Sequence, residues 1–439
     1  MKHSASRGEK DLIVWRLLYF LWFLRLFRPE RLISEHIHAL TAIRSAPTIL
    51  LIILIAIWLF SHNKKYKYKE FALFIFALFV SSIFSENHTR AMWAFRAITE
   101  LYFLAGITFT YADDITKVRK LLSLYFLYIV YFGLWGIPGM GRVEWDYILN
   151  EEDAYGPLMT MGIAFGYYYY RMSVSFNKKK YVQLGIIICV IGVVVSFARG
   201  AFLVMLCLFL IIFIKEKGKF KNIVLAAMAG IIVIIAANII FPNNAFWTEM
   251  NTISEGTSEG TGADRKILWK VAWYEFIDHP IIGVGPYNFG VVAPDYVIKM
   301  PDRQRYLDPG TIWGRSLHNG YFQILCELGI VGTAVFLVLL YDLNRSNRKI
   351  MKYQTDENSK DIEAELAIYR QLSSGVALTI FAFLMNAFFY DMIFYTWFWE
   401  LIIFNRLLLV RVTNIVKQET DNTAKKTKRI KRNMVMNAQ

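Results

Sequence analysis

Two arginines and one histidine stand beside apolar stretches of this sequence, where ionisable side chains are rare. Arg199 interrupts a long apolar stretch in VVVSFARGAFLVML, and His318 opens another in SLHNGYFQ. Arg265 lies near the start of a predicted helix, and helix N-termini favour anions. A guanidinium group binds phosphate bidentately, and an imidazole, with an ordinary pKa of about 6.5, transfers protons near neutral pH. Together these side chains indicate an anion-binding site with acid–base chemistry.

Each of these residues also has a structural interpretation. Arg199 could be an interface arginine whose charged end reaches water, and Arg265 an ordinary surface charge. Glu327 lies inside the apolar run after His318, where a carboxylate needs a partner or its neutral form. Packing against another helix, or a hydrogen bond to a backbone break, would satisfy it. We predict no metal and no cofactor, because the histidines and carboxylates lack HExxH or DxD spacing.

The apolar stretches themselves indicate a membrane protein. Hydrophobic residues make up 56% of the 439, more than one soluble core requires, and a spanning helix needs ~20 of them. We therefore predict an all-α, polytopic transmembrane bundle of about twelve spans. The first predicted span contains Arg16 and Arg25, so it could instead be an interfacial amphipathic helix. The predicted spans lie near 12–28, 46–61, 70–85, 98–111, 119–136, 156–171, 180–198, 200–215, 221–241, 318–341, 376–391 and 392–410.

The net charge of +14 indicates how the chain is oriented in the membrane, and not that it binds nucleic acid. Lys and Arg collect in short loops between the apolar runs, as they do on the cytoplasmic side of membrane proteins. With twelve spans both termini are predicted to be cytoplasmic. If residues 12–28 only lie on the surface, eleven spans remain and the N-terminus is outside. Alternating spans bring five basic stretches to one side: 62–70, 177–181, 215–221, 342–375 and 425–432.

This alternation divides the chain into four predicted parts. One long segment falls on the outer side, and it should contain a helix that Asp264 caps and Pro280 terminates. The polar, basic end should be a disordered cytoplasmic tail near anionic lipid. The parts are an N-terminal bundle over 1–241 with nine spans, an extracytoplasmic loop over 242–317, C-terminal spans over 318–416 and the tail over 417–439.

Three motifs around the predicted outer loop resemble signatures of the O-antigen ligase and O-antigen polymerase superfamily. SFARGAFLVML resembles S-x-x-R-G-A, and DRKILWKVAWYEFIDHPIIGVGPYNFG resembles R-x-x-x-W followed by hP-x-x-G-x-G. LHNGYFQILCELGIVG resembles H-N-x-[FYL]-x-x-x-x-x-E-x-G-x-x-G. The motifs come in the family's order and cover roughly residues 180–342.

The resemblance implies a glycosyltransferase of lipopolysaccharide or polysaccharide biosynthesis in the cytoplasmic (inner) membrane. Its donor would be a glycan on undecaprenyl pyrophosphate and its acceptor a glycan or lipid, among membrane lipids and without nucleic acid. By analogy, Arg199 and Arg265 would hold the pyrophosphate. His318 would take the proton from the acceptor hydroxyl, or else position the donor phosphate. Supporting roles fall to Trp269, Tyr321 and Glu327.

The motifs leave several functions open. A ligase attaches a finished glycan to lipid A core, a polymerase joins repeat units, and some relatives glycosylate protein. A transporter or flippase for a lipid-linked anionic glycan would also need arginines, but along a path through the membrane, and no internal repeat of the transporter kind is present. A receptor that binds its ligand through 242–317 would need no acid–base residue.

Overall fold

All regular secondary structure in the described part of the chain is helical, which confirms the all-α prediction. The computed structural model describes residues 2–60, 68–172, 176–215, 261–299, 312–353 and 360–437. A 3₁₀ helix occupies His38–Ser45. The α-helices are α1 (Lys2–Phe27), α2 (Pro29–His36), α3 (Ala46–Leu59), α4 (Lys69–Ile83), α5 (His88–Tyr111), α6 (Ile115–Gly136), α7 (Glu152–Met172), α8 (Phe176–Val195), α9 (Arg199–Lys215), α10 (Thr261–Asp278), α11 (Phe289–Lys299), α12 (Gly320–Lys352), α13 (Lys360–Asn386) and α14 (Thr396–Asn437).

Every predicted span within the described residues overlaps one of these helices. The predicted span 221–241 lies outside them, as do 242–260 and 300–311 of the predicted outer loop. The number of spans, the four domain boundaries and the sidedness of the termini therefore stay predictions. Four described helical stretches are long and apolar enough to cross a membrane: His38–Leu59, Ile115–Gly136, Gly320–Lys352 and Asp361–Asn386.

Two boundaries differ from the prediction. Helix α14 continues to Asn437, so the disordered tail predicted over 417–439 is wrong. That segment is rich in Lys and Arg, which are good helix formers, so polarity does not break the helix. Helix α10 begins at Thr261, three residues before Asp264, which is therefore an interior residue and not its N-cap.

The first half of α14 forms the centre of the bundle. Residues 397–405 are all buried, as expected of a helix surrounded by protein, and Trp399 and Phe404 have no exposed surface. The Trp399 ring lies 5.4 Å from that of Phe71 on α4, and Phe404 lies 5.2 Å from Trp22 on α1. Helices α1 and α4, from the first part of the sequence, therefore pack against α14, which lies near its end.

Helices α10 and α11 pack over the first half of α12 and form a second, smaller core. Leu268, Val271 and Ala272 on α10 are buried there, as their helical spacing predicts. Helix α11 contributes Phe289 and Val297, and α12 contributes only a few apolar side chains. The small core fixes α10, and with it Arg265, against the α12 end of the bundle.

The turn after α10 docks on a break in α12. Gly329 has φ 64° and ψ −166°, which no α-helical residue adopts, so backbone groups on both sides lose their intrahelical partners. The turn replaces them: Gly285 N–H donates to the Glu327 carbonyl at 2.9 Å, and Ile330 N–H donates to the Pro280 carbonyl at 2.8 Å. The glycines of the second and third motifs thus meet at one backbone contact.

We expect Gly283→Ala to destabilise the protein far more than Gly314→Ala. Both glycines have positive φ, 71° and 76°, so each substitution carries a left-handed strain of ~1–2 kcal/mol. At Gly283 the added Cβ would also lie 2.3 Å from the Glu327 carbonyl carbon, whereas nothing lies within 4 Å at Gly314. Thermal unfolding of the purified variants checks the difference, and equal losses of Tm would contradict the close docking.

Candidate functional site

A cavity of about 470 Å³ lies at one end of the bundle, where α7, α9 and α10 begin and α13 ends. Arg199, Arg265 and His318 all contribute to its wall. The structure therefore brings together three predicted site residues that are far apart in sequence. The remaining wall is formed by Glu152, Asp153, Pro157, Phe197, Ala198, Gly200, Ala201, Asn386, Phe389 and Tyr390.

The first motif builds a tight turn that places Arg199 at the N-terminus of α9. The Ser196 hydroxyl donates to the Val193 carbonyl at 2.8 Å and accepts from the Ala198 N–H at 3.3 Å, which closes the end of α8. At Gly200 a Cβ would lie 2.5 Å from Cγ of Phe389. The serine and the glycine of S-x-x-R-G-A thus shape the backbone, and the arginine is left to face the cavity.

Arg265 shares the cavity with a second arginine, Arg199, and with the carboxylates of Glu152 and Asp153. Burial lowers the pKa of Arg265, Asp153 opposes this effect, and the Arg199 guanidinium lowers the pKa further. An arginine does not lose its proton in a protein, so its burial and its repulsion by Arg199 instead raise the free energy of the folded protein. A bound anion would offset this cost.

His318 is held at the cavity by its neighbours in the chain. Its backbone has φ 53°, in the left-handed region. The next residue, Asn319, caps α12 by accepting two backbone N–H groups of the first turn at 2.9 and 3.0 Å. Asp391, in the connection between α13 and α14, accepts the Leu317 N–H at 3.2 Å. The histidine of the H-N motif is thus oriented by a helix cap and by a carboxylate that the sequence did not reveal.

Asp153 faces the His318 ring from the start of α7. The distance from Nδ1 of His318 to Oδ2 of Asp153 is 3.6 Å, just beyond hydrogen-bond length, and the two side chains are 30% and 40% exposed. A carboxylate there can orient an imidazole and stabilise its protonated form. Sequence reasoning missed Asp153 because an acidic residue in the first turn of a helix is common for electrostatic reasons alone.

The three residues predicted to support the site lie beside the cavity and not in its wall. The Trp269 ring stacks on Phe322 at 5.8 Å, which joins α10 to α12. The Tyr321 hydroxyl donates to a carbonyl near the end of α13. Glu327 is buried, and its Oε1 accepts the Phe289 N–H at 3.1 Å, at the start of α11. These contacts position the helices that carry Arg265 and His318.

A second buried carboxyl, Glu275, lies on the buried face of α10, close to Glu327. Glu275 has no exposed surface, and neither of its carboxyl oxygens has a hydrogen-bond partner among the described residues. Burial raises the pKa of Glu275 well above its ordinary value, and the carboxyl of Glu327 raises it further. Glu275 is therefore favoured as a neutral acid in the folded protein.

We expect stability to fall with rising pH because of Glu275. A carboxyl whose pKa is raised by folding stabilises the protein fully below its ordinary value of 4.5, and this contribution is lost as pH rises towards the folded pKa. Glu275→Gln should flatten the fall in Tm as the pH rises above the ordinary carboxyl pKa of 4.5. Asp295→Asn, which changes an exposed carboxylate on α11, should keep the wild-type slope. Equal slopes in wild type and Glu275→Gln would contradict the prediction.

The fold and the site together define a multi-pass membrane protein with a cationic cavity at one end of its helices. Comparison with known proteins agrees: residues 184–337 match the O-antigen ligase family. A Rickettsia conorii protein named "Putative polysaccharide ligase RC0486" is 29% identical over 132 residues, 27% of this chain and 31% of that protein. The alignment thus spans about a third of the relative. The two matches confirm the resemblance to the O-antigen ligase superfamily.

Proposed function

We propose that this protein is a membrane glycosyltransferase that ligates or polymerises a glycan carried on undecaprenyl pyrophosphate, at the outer face of the cytoplasmic membrane. One observation carries the proposal: Arg199, Arg265 and His318, from three motifs, line the same cavity. The family match and the name of the Rickettsia relative support a polysaccharide ligase or polymerase over other reactions.

In the proposed reaction each polar group of the cavity has one task. The bond between the anomeric carbon and the pyrophosphate oxygen breaks, and the acceptor oxygen bonds to that carbon from the opposite face. Arg199 and Arg265 stabilise the charge that develops on the leaving pyrophosphate, as preorganised cations do in a site that excludes water. His318 takes the proton of the acceptor hydroxyl, and Asp153 stabilises the resulting imidazolium.

A flippase or transporter for the same lipid-linked glycan is the alternative function. It would also need cations, but these would follow a path through the bilayer. The arginines and the histidine of the cavity lie together at one end of α9, α10 and α12. This clustering favours chemistry at a single site.

Deletion of the gene, followed by analysis of the surface glycan, tests the proposed function. Free single repeat units would identify a missing polymerase, and long lipid-linked chains without an acceptor would identify a missing ligase. Restoration by the wild-type gene, but not by its Arg199→Ala variant, would tie the defect to the cavity. An unchanged surface glycan in the deletion strain would contradict the proposal.

A further inference from the structure

A second, larger cavity of about 940 Å³ lies beside the first. It is formed by the ends of α1 and α2, the start of α5, the connection between α6 and α7 and the start of α14. Its volume is near the upper end of the ~300–1,000 Å³ range of ligand pockets. Most of its lining residues come from the first half of the chain, and the others are Tyr287 of the second motif and residues at or just before the start of α14.

The two cavities share a wall of three polar side chains. Tyr390 lines the smaller cavity, and its hydroxyl donates to the Glu151 carboxylate, which lines the larger one. Tyr395, also in the larger cavity, donates its hydroxyl to that of Tyr390 at 3.2 Å. The Tyr390 ring lies 5.9 Å from the His318 ring. A group bound at this end of the larger cavity would therefore lie one side chain away from the predicted base.

Aromatic rings form part of the larger cavity. Trp93 is 49% exposed and Tyr147 is 52% exposed. Trp93 lies between Tyr147, at 5.7 Å, and Tyr287, at 6.2 Å. The Arg31 guanidinium lies 4.4 Å from the centre of the Tyr147 ring. Exposed rings that alternate with hydrogen-bonding groups suit a ligand with apolar C–H faces and polar edges, and a sugar ring has both.

Two buried carboxylates in the same cavity need hydrogen-bond donors. Glu30 is 6% exposed and Glu400 is 3% exposed, and each has one carboxyl oxygen without a partner among the described residues. Both residues line the larger cavity. A buried polar atom left without a hydrogen-bond partner destabilises the folded protein. Ligand hydroxyl groups, which both donate and accept, are suitable partners for both carboxyl groups.

Charged side chains of the larger cavity are largely paired with one another. Most of its arginines already have carboxylate partners: Arg25 contacts Glu100 at 2.9 Å, and Arg96 contacts the other oxygen of the same carboxylate at 3.0 Å. Arg28 is paired with buried Asp146 at 2.5 Å. Paired charges supply donors and acceptors without a strong net field. Such a surface suits a polyhydroxylated ligand, whose hydroxyl groups both donate and accept hydrogen bonds.

We propose that the larger cavity binds the acceptor glycan and presents its reactive hydroxyl at the end beside Tyr390. The proposal rests on the proposed function, since it assigns the second substrate of the same reaction. It places the pyrophosphate of the donor in the smaller cavity and most of the acceptor glycan in the larger one, with the reactive hydroxyl of the acceptor reaching past Tyr390 to His318 and the anomeric carbon. Acceptor choice would then depend on Trp93, Glu30 and Glu400, and not on the motif residues.

Binding measurements on the full-length protein in detergent test this assignment. The probes are oligosaccharides released by mild acid from the surface polysaccharide of the source strain, and inorganic pyrophosphate. Trp93→Ala and Glu30→Gln should each weaken oligosaccharide binding about tenfold or more, and should leave pyrophosphate binding unchanged. Trp273→Ala, which removes an equally exposed tryptophan on α10 (47%), and Glu144→Gln, at an exposed carboxylate outside both cavities, should bind both probes normally.

Three results would overturn the assignment. The first is oligosaccharide binding that neither cavity variant weakens. The second is a clear change in pyrophosphate binding, in either direction, in Glu30→Gln, which would make the larger cavity a phosphate or lipid-headgroup site. The third is wild-type protein that does not bind the oligosaccharide. Glu30→Gln preserves the shape of the side chain, so it remains informative if Trp93→Ala fails to fold.

Failure of the proposed function would look different. Arg199→Ala and His318→Ala should abolish transfer while the oligosaccharide still binds. If transfer survives both changes, the proposed function is wrong whatever the cavity binds. If transfer is lost but Trp93→Ala and Glu30→Gln keep the wild-type KM for the acceptor, only the acceptor assignment is wrong.

Discussion

Alanine at Arg199 or at Arg265 is expected to lower the rate of glycan transfer by ~10²–10³-fold, the usual loss when one preorganised charge-stabilising group is removed. Both guanidinium groups line one cavity, and the field of each acts on the other. If the proposed function is correct, neither can replace its neighbour, because each would contact the leaving pyrophosphate from a different helix. The measurement is transfer by purified protein in liposomes that contain the lipid-linked donor.

Lysine at the same positions distinguishes charge from geometry. Arg199→Lys and Arg265→Lys keep the positive charge but lose the planar, bidentate fork, so we expect activity between that of wild type and alanine. Arg315→Ala is the matched control, because Arg315 is exposed, lies three residues before His318 and is outside the cavity wall. If both alanine variants transferred glycan at more than half the wild-type rate, the site would be wrongly assigned.

His318→Ala is expected to lower kcat by ~10²–10⁴-fold, the range for loss of a general base. The KM for donor and acceptor should change little, because the ring is assigned to the proton and not to binding. His318 occupies a left-handed backbone position beside a helix cap. His318→Asn, which tolerates that conformation well, therefore controls for a purely structural loss. Turnover at saturating concentrations of both substrates is the measurement.

Asp153 should act through His318, as a positioning residue. With 3.6 Å between Oδ2 and Nδ1, we expect Asp153→Asn to lower kcat without raising KM, and Asp153→Glu to restore part of the rate. In a His318→Ala background, Asp153→Asn should have little further effect, because residues that act as a unit are not additive. Full activity of His318→Ala would remove the base role, and a raised donor KM in that variant would instead indicate that the ring positions the donor phosphate.

Much of the helical layout could be predicted from the sequence, because it depends on the local pattern of apolar residues. The long apolar stretches predict helices, and described helices overlap every predicted span that falls within them. The apolar positions of 264–280 identified the buried face of α10. The least reliable parts were the ends, as at Asp264 and in the tail after 417, where polar residues continue a helix whose apolar pattern has ended.

Some residues of the candidate site could likewise be predicted from the sequence, and others could not. Arg199, Arg265 and His318 stood out because each breaks an apolar context or belongs to a motif, and one chain contains few such positions. Asp153 and Asp391 did not stand out, since a carboxylate in a helix turn or connection is ordinary until its partner is known. Asp153 faces His318, which lies 165 residues further along the chain, and Asp391 accepts the N–H of Leu317, 74 residues before it. No local pattern carries information across such distances.

Composition and periodicity alone established a helical membrane bundle and indicated a cationic, acid–base site, because both are properties of short segments in contact with lipid or water. The convergence of the cavity, the burial of Glu275 beside Glu327, and the second cavity with its Glu151–Tyr390 wall depended on the tertiary packing. Those features arise from side chains of distant helices whose separation is set by how the whole bundle packs around α14.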